Sequence, residues 1–160
     1  MELVIVYSSD EEIPRRLFAA FPCVELGPGL AVTWEPEDRA RRLVERAKEE
    51  AIRRWEDEGE GPRLELAVIP LTEEQYNAIR HIVRRALDES AERLAAELRR
   101  LAADIRRRKG SPKELKSRFR RLAERAGKLM DAAARLGVEP SAVADLHEAF
   151  KEANSEVQKL

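Results

Sequence analysis

The sequence predicts an α+β fold, and three observations predict it. Short β-branched apolar runs alternate with helical stretches up to residue 71; from Thr72 onward apolar residues recur every three or four positions; and most glycines and prolines fall between these runs. The predicted boundary follows from the change of period, with a sheet domain over 1–71 and a helical region over 72–160.

Taken in order, Glu2 to Tyr7 reads as a buried central strand that Ser8-Ser9-Asp10 breaks. Asp10-Glu11-Glu12 and Pro14 then open a helix whose inner face carries Leu17, Phe18 and Phe21 and which Pro22 stops. Cys23 to Leu26 and Leu30 to Trp34 flank Gly27-Pro28-Gly29, whose glycines accept the positive φ of a tight hairpin connection. Glu35-Pro36-Glu37-Asp38 starts a second helix with Ala40, Leu43, Ala47, Ala51 and Trp55 on one stripe, ended by Gly59 and Gly61-Pro62. Leu64, Leu66 and Val68 alternate along a fourth strand up to Pro70. This βαββαβ succession is the split-βαβ, ferredoxin-like pattern.

The helical region opens on Thr72-Glu73-Glu74-Gln75, a capping box in which Thr and Gln side chains each satisfy a backbone N–H. Ile79, Val83, Leu87, Ala91, Leu94, Leu98, Leu101 and Ile105 form one long stripe, and Gly110 is placed to close that helix in a left-handed conformation. Ser111-Pro112-Lys113-Glu114 is a second capping box. Leu115, Phe119, Leu122, Ala126, Leu129, Ala133 and Leu136 follow at spacings of four and three, a coiled-coil-like seam that predicts an antiparallel helical hairpin. Gly137 ends the second arm; Pro140-Ser141 restarts the chain, and Val143, Leu146, Phe150, Ala153 and Val157 stripe a C-terminal helix.

Composition narrows the function. The 160 residues carry 30 Lys/Arg and 31 Asp/Glu, a surface dense enough in helical charge pairs to be compatible with a thermophilic source. The near-neutral total hides a segregation. Residues 1–75 hold 10 basic against 18 acidic side chains, residues 76–130 hold 17 against 7, and residues 131–160 hold 3 against 6. A cationic face for an anionic partner, or pairing between acidic and basic parts, follows from such a layout. The start lacks the pattern of a signal peptide and no apolar run suits a membrane span, so a cytoplasmic protein with no membrane partner is expected. A single cysteine, Cys23, excludes an intramolecular disulfide, and with His81 and His147 far apart no metal or other cofactor is expected.

The densest cationic stretch lies between Arg106 and Lys128. Its candidate nucleic-acid or anion-binding residues are Arg106, Arg107, Arg108, Lys109, Lys113, Lys116, Arg120 and Arg121, grouped around the predicted helical turn. The competing reading is a solvated helical face partly paired with Glu114 and Glu124. Phe119 is the only aromatic there and belongs to the apolar seam, which argues against base stacking. Asp10 with Glu11 and Glu12 has the chemistry to hold a hard divalent cation, as in the metal-dependent CRISPR-associated nucleases of this fold, but acids at a helix start also stabilise its dipole. His81, His147 and Cys23 carry no nucleophile or acid–base motif, so no catalytic residue is assigned.

Leu3-Val4-Ile5-Val6, the Gly-centred Leu26-Gly27-Pro28-Gly29-Leu30-Ala31-Val32, and Val68-Ile69-Pro70-Leu71-Thr72 leading into Arg85-Ala86-Leu87-Asp88-Glu89-Ser90 carry a resemblance, as does the Arg-rich Leu115 to Arg125. Together they resemble the N-terminal domain of ChrB-type chromate-resistance regulators and, more distantly, the related module of PaaX-type transcriptional repressors. The resemblance covers residues 1 to about 130 and leaves the last helix outside it. It implies a non-enzymatic regulatory or sensing role with DNA or oxyanion binding. The expectation is therefore a non-catalytic regulatory or binding protein, homodimeric, contacting nucleic acid or another polyanion. A protein-interaction scaffold and a metal-dependent nuclease are the alternatives.

Overall fold

The computed structural model describes residues 1–34 and 37–160. Among them are four strands, β1 (Glu2–Ser8), β2 (Val24–Gly27), β3 (Leu30–Thr33) and β4 (Leu64–Pro70). Five helices accompany them: α1 (Glu12–Ala19), α2 (Glu37–Glu58), α3 (Glu73–Arg106), α4 (Pro112–Leu136) and α5 (Val143–Gln158). The fold is α+β. The start expected for the second helix at Glu35-Pro36 lies outside the described residues. Among the described residues no helix is long and apolar enough to cross a membrane. The chain divides into two compact units, Met1–Val83 and Arg84–Leu160. The period changes at Thr72, whereas the division falls inside α3, so the stretch Glu73–Val83 belongs with the sheet.

In the first unit the strands form one antiparallel sheet in the order β2-β3-β1-β4. Val4 lies opposite Ala31 on one side and Val68 on the other, and Val6 lies opposite Leu66. Side chains alternate along a strand, so Val4 and Val6 share a face, where Leu17 and Phe18 of α1, Phe21, and Ala40 and Val44 of α2 complete the core. Each large member of that set contributes about 1.5–3 kcal/mol on leaving water. The other face is open only toward one end of β1, where Ile5 is 37% and Tyr7 67% exposed; further along that face Leu3 is half-buried and Val32, opposite it, fully buried. β1 is central, as its composition predicts, and is buried most completely on the Val4–Val6 face, against which α1 and α2 pack.

The β2–β3 connection depends on Gly29, at φ 72°. Its carbonyl accepts the Val6 N–H at 2.7 Å, and a Cβ there would stand 2.1 Å from the Val6 carbonyl oxygen. Only glycine permits this approach. Near the C-terminal end of α2, Trp55 donates its Nε1–H to the Pro62 carbonyl at 2.9 Å, and a side chain at Gly61 would meet the indole at 2.9 Å. Trp55 is thus fixed in place while 47% exposed.

The second unit is built from helices with a Leu/Ala interior. Leu87, Ala91, Leu94, Leu98, Leu101 and Ile105 of α3 are buried, as are Leu115, Leu122, Leu129 and Leu136 of α4 and Leu146, Ala149 and Ala153 of α5. Phe119 and Phe150 join α4 to α5, their ring centroids 5.4 Å apart. α5 begins at a residue with no capping side chain of its own, Ala142. Asp88 of α3 supplies the cap, its Oδ1 accepting the Ala142 N–H and its Oδ2 the Ser141 hydroxyl, each at 3.0 Å.

Candidate anion-binding surface

The turn between α3 and α4 sets out the candidate cations. The Lys109 N–H donates to the Asp104 carbonyl at 2.9 Å and the Arg108 N–H to the Ile105 carbonyl at 3.0 Å, the paired bonds of a Schellman closure. The left-handed residue of that closure is Arg108, at φ 54°. Gly110, expected to fill this role, has φ 101° but lies two residues further on. The closing carbonyls are those nearest the end of the apolar stripe at Ile105, which puts the left-handed position at Arg108. A non-glycine residue there costs roughly 1–2 kcal/mol. The next helix starts as expected. Ser111 Oγ accepts the Glu114 N–H at 3.2 Å and Glu114 Oε2 accepts the Ser111 N–H at 3.1 Å, with Pro112 following the cap. These bonds from Ser111 hold the Glu114 carboxyl below its ordinary pKa.

Two hollows open beside this turn. One, of about 640 Å³, is lined by Lys109, Lys113, Ser117, Arg118 and Arg121 among others. The second, of about 500 Å³, is lined by Arg100, Arg118, Arg121 and Arg125 with Glu97 and Leu122. They adjoin through Arg118 and Arg121, which line both. Two of these cations are paired across helices: Arg118 with Asp104 at 3.0 Å, and Arg125 with Glu97 through a fork of 2.8 and 3.1 Å. The Arg125 hydrogen bond lowers the Glu97 pKa against a smaller opposing effect of burial. Arg100, Lys109, Lys113 and Arg121 have no ion pair among the described residues.

Of the eight residues singled out in the sequence, Lys109, Lys113 and Arg121 line the hollows. Arg107, Arg108, Lys116 and Arg120 are exposed and line neither. Arg106 points elsewhere: its Nη2 donates to Glu152 at 2.7 Å and its Nε to Glu156 at 3.2 Å, both on α5. Arg99 makes the equivalent fork with Asp145 of α5, which lowers the Asp145 pKa. Glu156 is also lowered, first by Lys159 and then by Arg106. Arg100, Arg118 and Arg125 were not among the eight. Their signal was present as heptad spacing, with Arg118 and Arg125 seven apart on one helix and their acids Glu97 and Asp104 seven apart on the other.

The other candidates take structural positions. Asp10 Oδ1 accepts the Glu12 N–H at 3.0 Å at the start of α1, and Glu12 pairs with Arg15 at 2.8 Å. Among the described residues no group of three His, Cys, Asp or Glu side chains is arranged to hold a metal. His81 and His147 are exposed. Cys23 donates its Sγ–H to the Phe18 carbonyl at 3.3 Å, and burial, helped by Glu25, pushes its thiol pKa up to about 12. Phe119, packed on Phe150, is not presented for stacking. Comparison of the chain with protein-family models, curated proteins and solved structures finds no match.

Proposed function

We propose that the chain is a non-catalytic regulatory or binding protein that holds a polyanion, foremost the phosphate backbone of nucleic acid, on the cationic surface of α3 and α4. One observation carries the reading: two adjoining hollows are lined by Arg100, Lys109, Lys113, Arg118, Arg121 and Arg125, of which only Arg118 and Arg125 have carboxylate partners among the described residues. Flanking Arg107, Lys116 and Arg120 extend the positive field. Arg108, held at a left-handed φ where glycine is more stable, fits a position kept for its cation rather than for stability. With Phe119 engaged on Phe150, the contact is to phosphates rather than to stacked bases.

The finer fold reading has support of the same kind. Read from its other edge the sheet order is 4-1-3-2, which supports a ferredoxin-like domain. An antiparallel α3–α4 hairpin is supported by the two cross-helix pairs, since the partner moves back from Asp104 to Glu97 as α4 advances from Arg118 to Arg125. Both features suit the resemblance to ChrB-type regulators, and with it a regulatory rather than enzymatic role.

The test is a titration of labelled duplex DNA at several salt concentrations. If about four phosphates are neutralised, affinity falls roughly a hundredfold between 50 and 200 mM salt. Reversing charge at Arg107, Lys109, Arg120 and Arg121 together abolishes binding, whereas a protein-interaction scaffold would keep its activity. No salt-sensitive binding at low ionic strength overturns the proposal.

A further inference from the structure

The two edges of the sheet are built differently. β2 is four residues long, with an irregular register between Glu25 and Gly27, features that discourage pairing with another strand. β4 is seven residues long and pairs with β1 without a break from Leu64 to Pro70. Its hydrogen-bonding directions follow from its ends. The Arg63 carbonyl accepts the Ser9 N–H at 3.0 Å, the Arg63 N–H donates to Ser9 Oγ at 2.9 Å, and the Leu71 N–H donates to the Met1 carbonyl at 3.0 Å. Odd-numbered residues therefore turn their backbone groups toward β1, and by alternation Leu64, Leu66 and Val68 turn theirs outward. Among the described residues no strand lies on that side. Next to this edge is a hollow of about 720 Å³ lined by Tyr7, Ile52, Trp55, Leu64 and Leu66, of which Tyr7, Ile52 and Trp55 are among the chain's exposed large apolar side chains.

We infer that this edge is a homodimer interface, at which β4 pairs antiparallel with β4 of a second copy about a twofold axis at Leu66. The strand is complementary to itself in one register. With Leu66 opposite Leu66, Leu64 meets Val68 and Val68 meets Leu64, so all three outward N–H and C=O pairs are matched. Shifting the axis by one residue places an outward residue opposite Pro62 or Pro70, which has no N–H to give. In the Leu66-centred register the inner row is wholly apolar, completing the cover of Leu64, Leu66 and Val68, which one copy leaves partly buried. On the outer row Glu65 faces Ala67, so no like charges oppose. Trp55, immobilised by Gly61 and the Pro62 carbonyl, supplies a rigid aromatic anchor beside the axis. The interface lies wholly in the sheet unit and is independent of the polyanion reading.

Sedimentation of the full chain across the micromolar range tests it. Wild type is expected to be dimeric, and because residues 1–75 are acidic in excess the dimer tightens with added salt. DNA binding runs the other way, so the two proposals fail separately. Ala67→Glu sets a carboxylate against Glu65 of the other copy twice per dimer and weakens association roughly tenfold, while Ala67→Lys strengthens it. Ala67 is exposed, so neither change threatens folding. Leu66→Pro removes the outward N–H together with a side chain packed on the core, and is expected to yield a monomer that circular dichroism shows to be folded. A monomeric wild type, which leaves the edge to a foreign segment, overturns the inference. So does an Ala67→Glu and Ala67→Lys pair that shifts association equally.

Discussion

The sheet unit and the helical unit divide apolar and charged side chains between interior and surface in opposite ways. Of the large apolar side chains left exposed among the described residues, Met1, Ile5, Tyr7, Ile52, Trp55 and Ile69 belong to the sheet unit and only Met130 and Leu160 to the helical one. The helical unit hides most of its Leu residues and presents cations held in register by Asp104, Glu97, Asp145 and Glu152. A sheet with helices on one face has a second face to account for, whereas helices packed along heptad stripes enclose their apolar surface. The contrast places exposed apolar side chains mostly on one unit and paired surface charge on the other.

The sharpest way to break this comparison is through cavities. Leu98 is fully buried in the helical unit, so Leu98→Ala is expected to cost about 2–5 kcal/mol in denaturant unfolding. Ile5, on the opposite face of the sheet, is expected to cost less when changed to Ala, since it is already 37% exposed. Equal losses would mean that face is covered within the monomer, and the contrast would be lost.

Titration sharpens the comparison from another side. Glu97, Glu114, Asp145 and Glu156, all in the helical unit, have lowered pKa values, by hydrogen bonds from Arg125, Ser111, Arg99 and Lys159 respectively. A carboxylate lowered in the folded state contributes stability that is present above its unfolded value, about 4, and is lost as pH falls through the folded one. Glu114 and Asp145 are exposed and Glu97 and Glu156 partly so, and solvent screening keeps each contribution small. Cys23 in the sheet unit is raised instead, by burial foremost, and Tyr76 is raised by burial against the opposing effect of Arg80. Their contribution is complete below the unfolded values, about 8.5 and 10, and fades as pH climbs toward the folded ones. Both tryptophans, Trp34 and Trp55, lie in the sheet unit, so their fluorescence reports on it while helical circular dichroism is dominated by the rest. Acid is expected to reduce helical ellipticity first, and alkali to change tryptophan emission first. The reverse order would contradict the assignment.

What was legible in the sequence was local. The capping boxes at Thr72 and Ser111 form with both reciprocal hydrogen bonds, because each needs only the three residues that follow it. The Gly27-Pro28-Gly29 turn and the period change at Thr72 are local in the same sense. What escaped depends on which way an element faces. Ile5 and Tyr7 read as core because they are apolar, yet alternation places them on the face opposite α1 and α2. Arg106 and Arg107 are neighbours in one cationic run, but about 100° of helical rotation separates them. That rotation hands Arg106 to Glu152 and Glu156 and leaves Arg107 exposed. Asp88 capping α5 from another helix has no local signature at all.

The smallest expected effect bears most directly on why the cationic turn looks as it does. At Arg108 the backbone is left-handed, and its closure bonds require that conformation whichever side chain is present. Arg108→Gly removes the clash between Cβ and the backbone while preserving both hydrogen bonds, so the folded chain should gain about 1 kcal/mol, less what glycine adds to the freedom of the unfolded chain. The same change deletes one cation from the surface offered to phosphate, and the logarithmic salt slope of DNA binding should become shallower by about 0.9 if that cation neutralises one phosphate. Stability and binding are thus expected to move in opposite directions from a single substitution. A variant that is more stable and binds with an unaltered slope would make the left-handed arginine an accident of helix closure, and would remove Arg108 from the anion-binding surface.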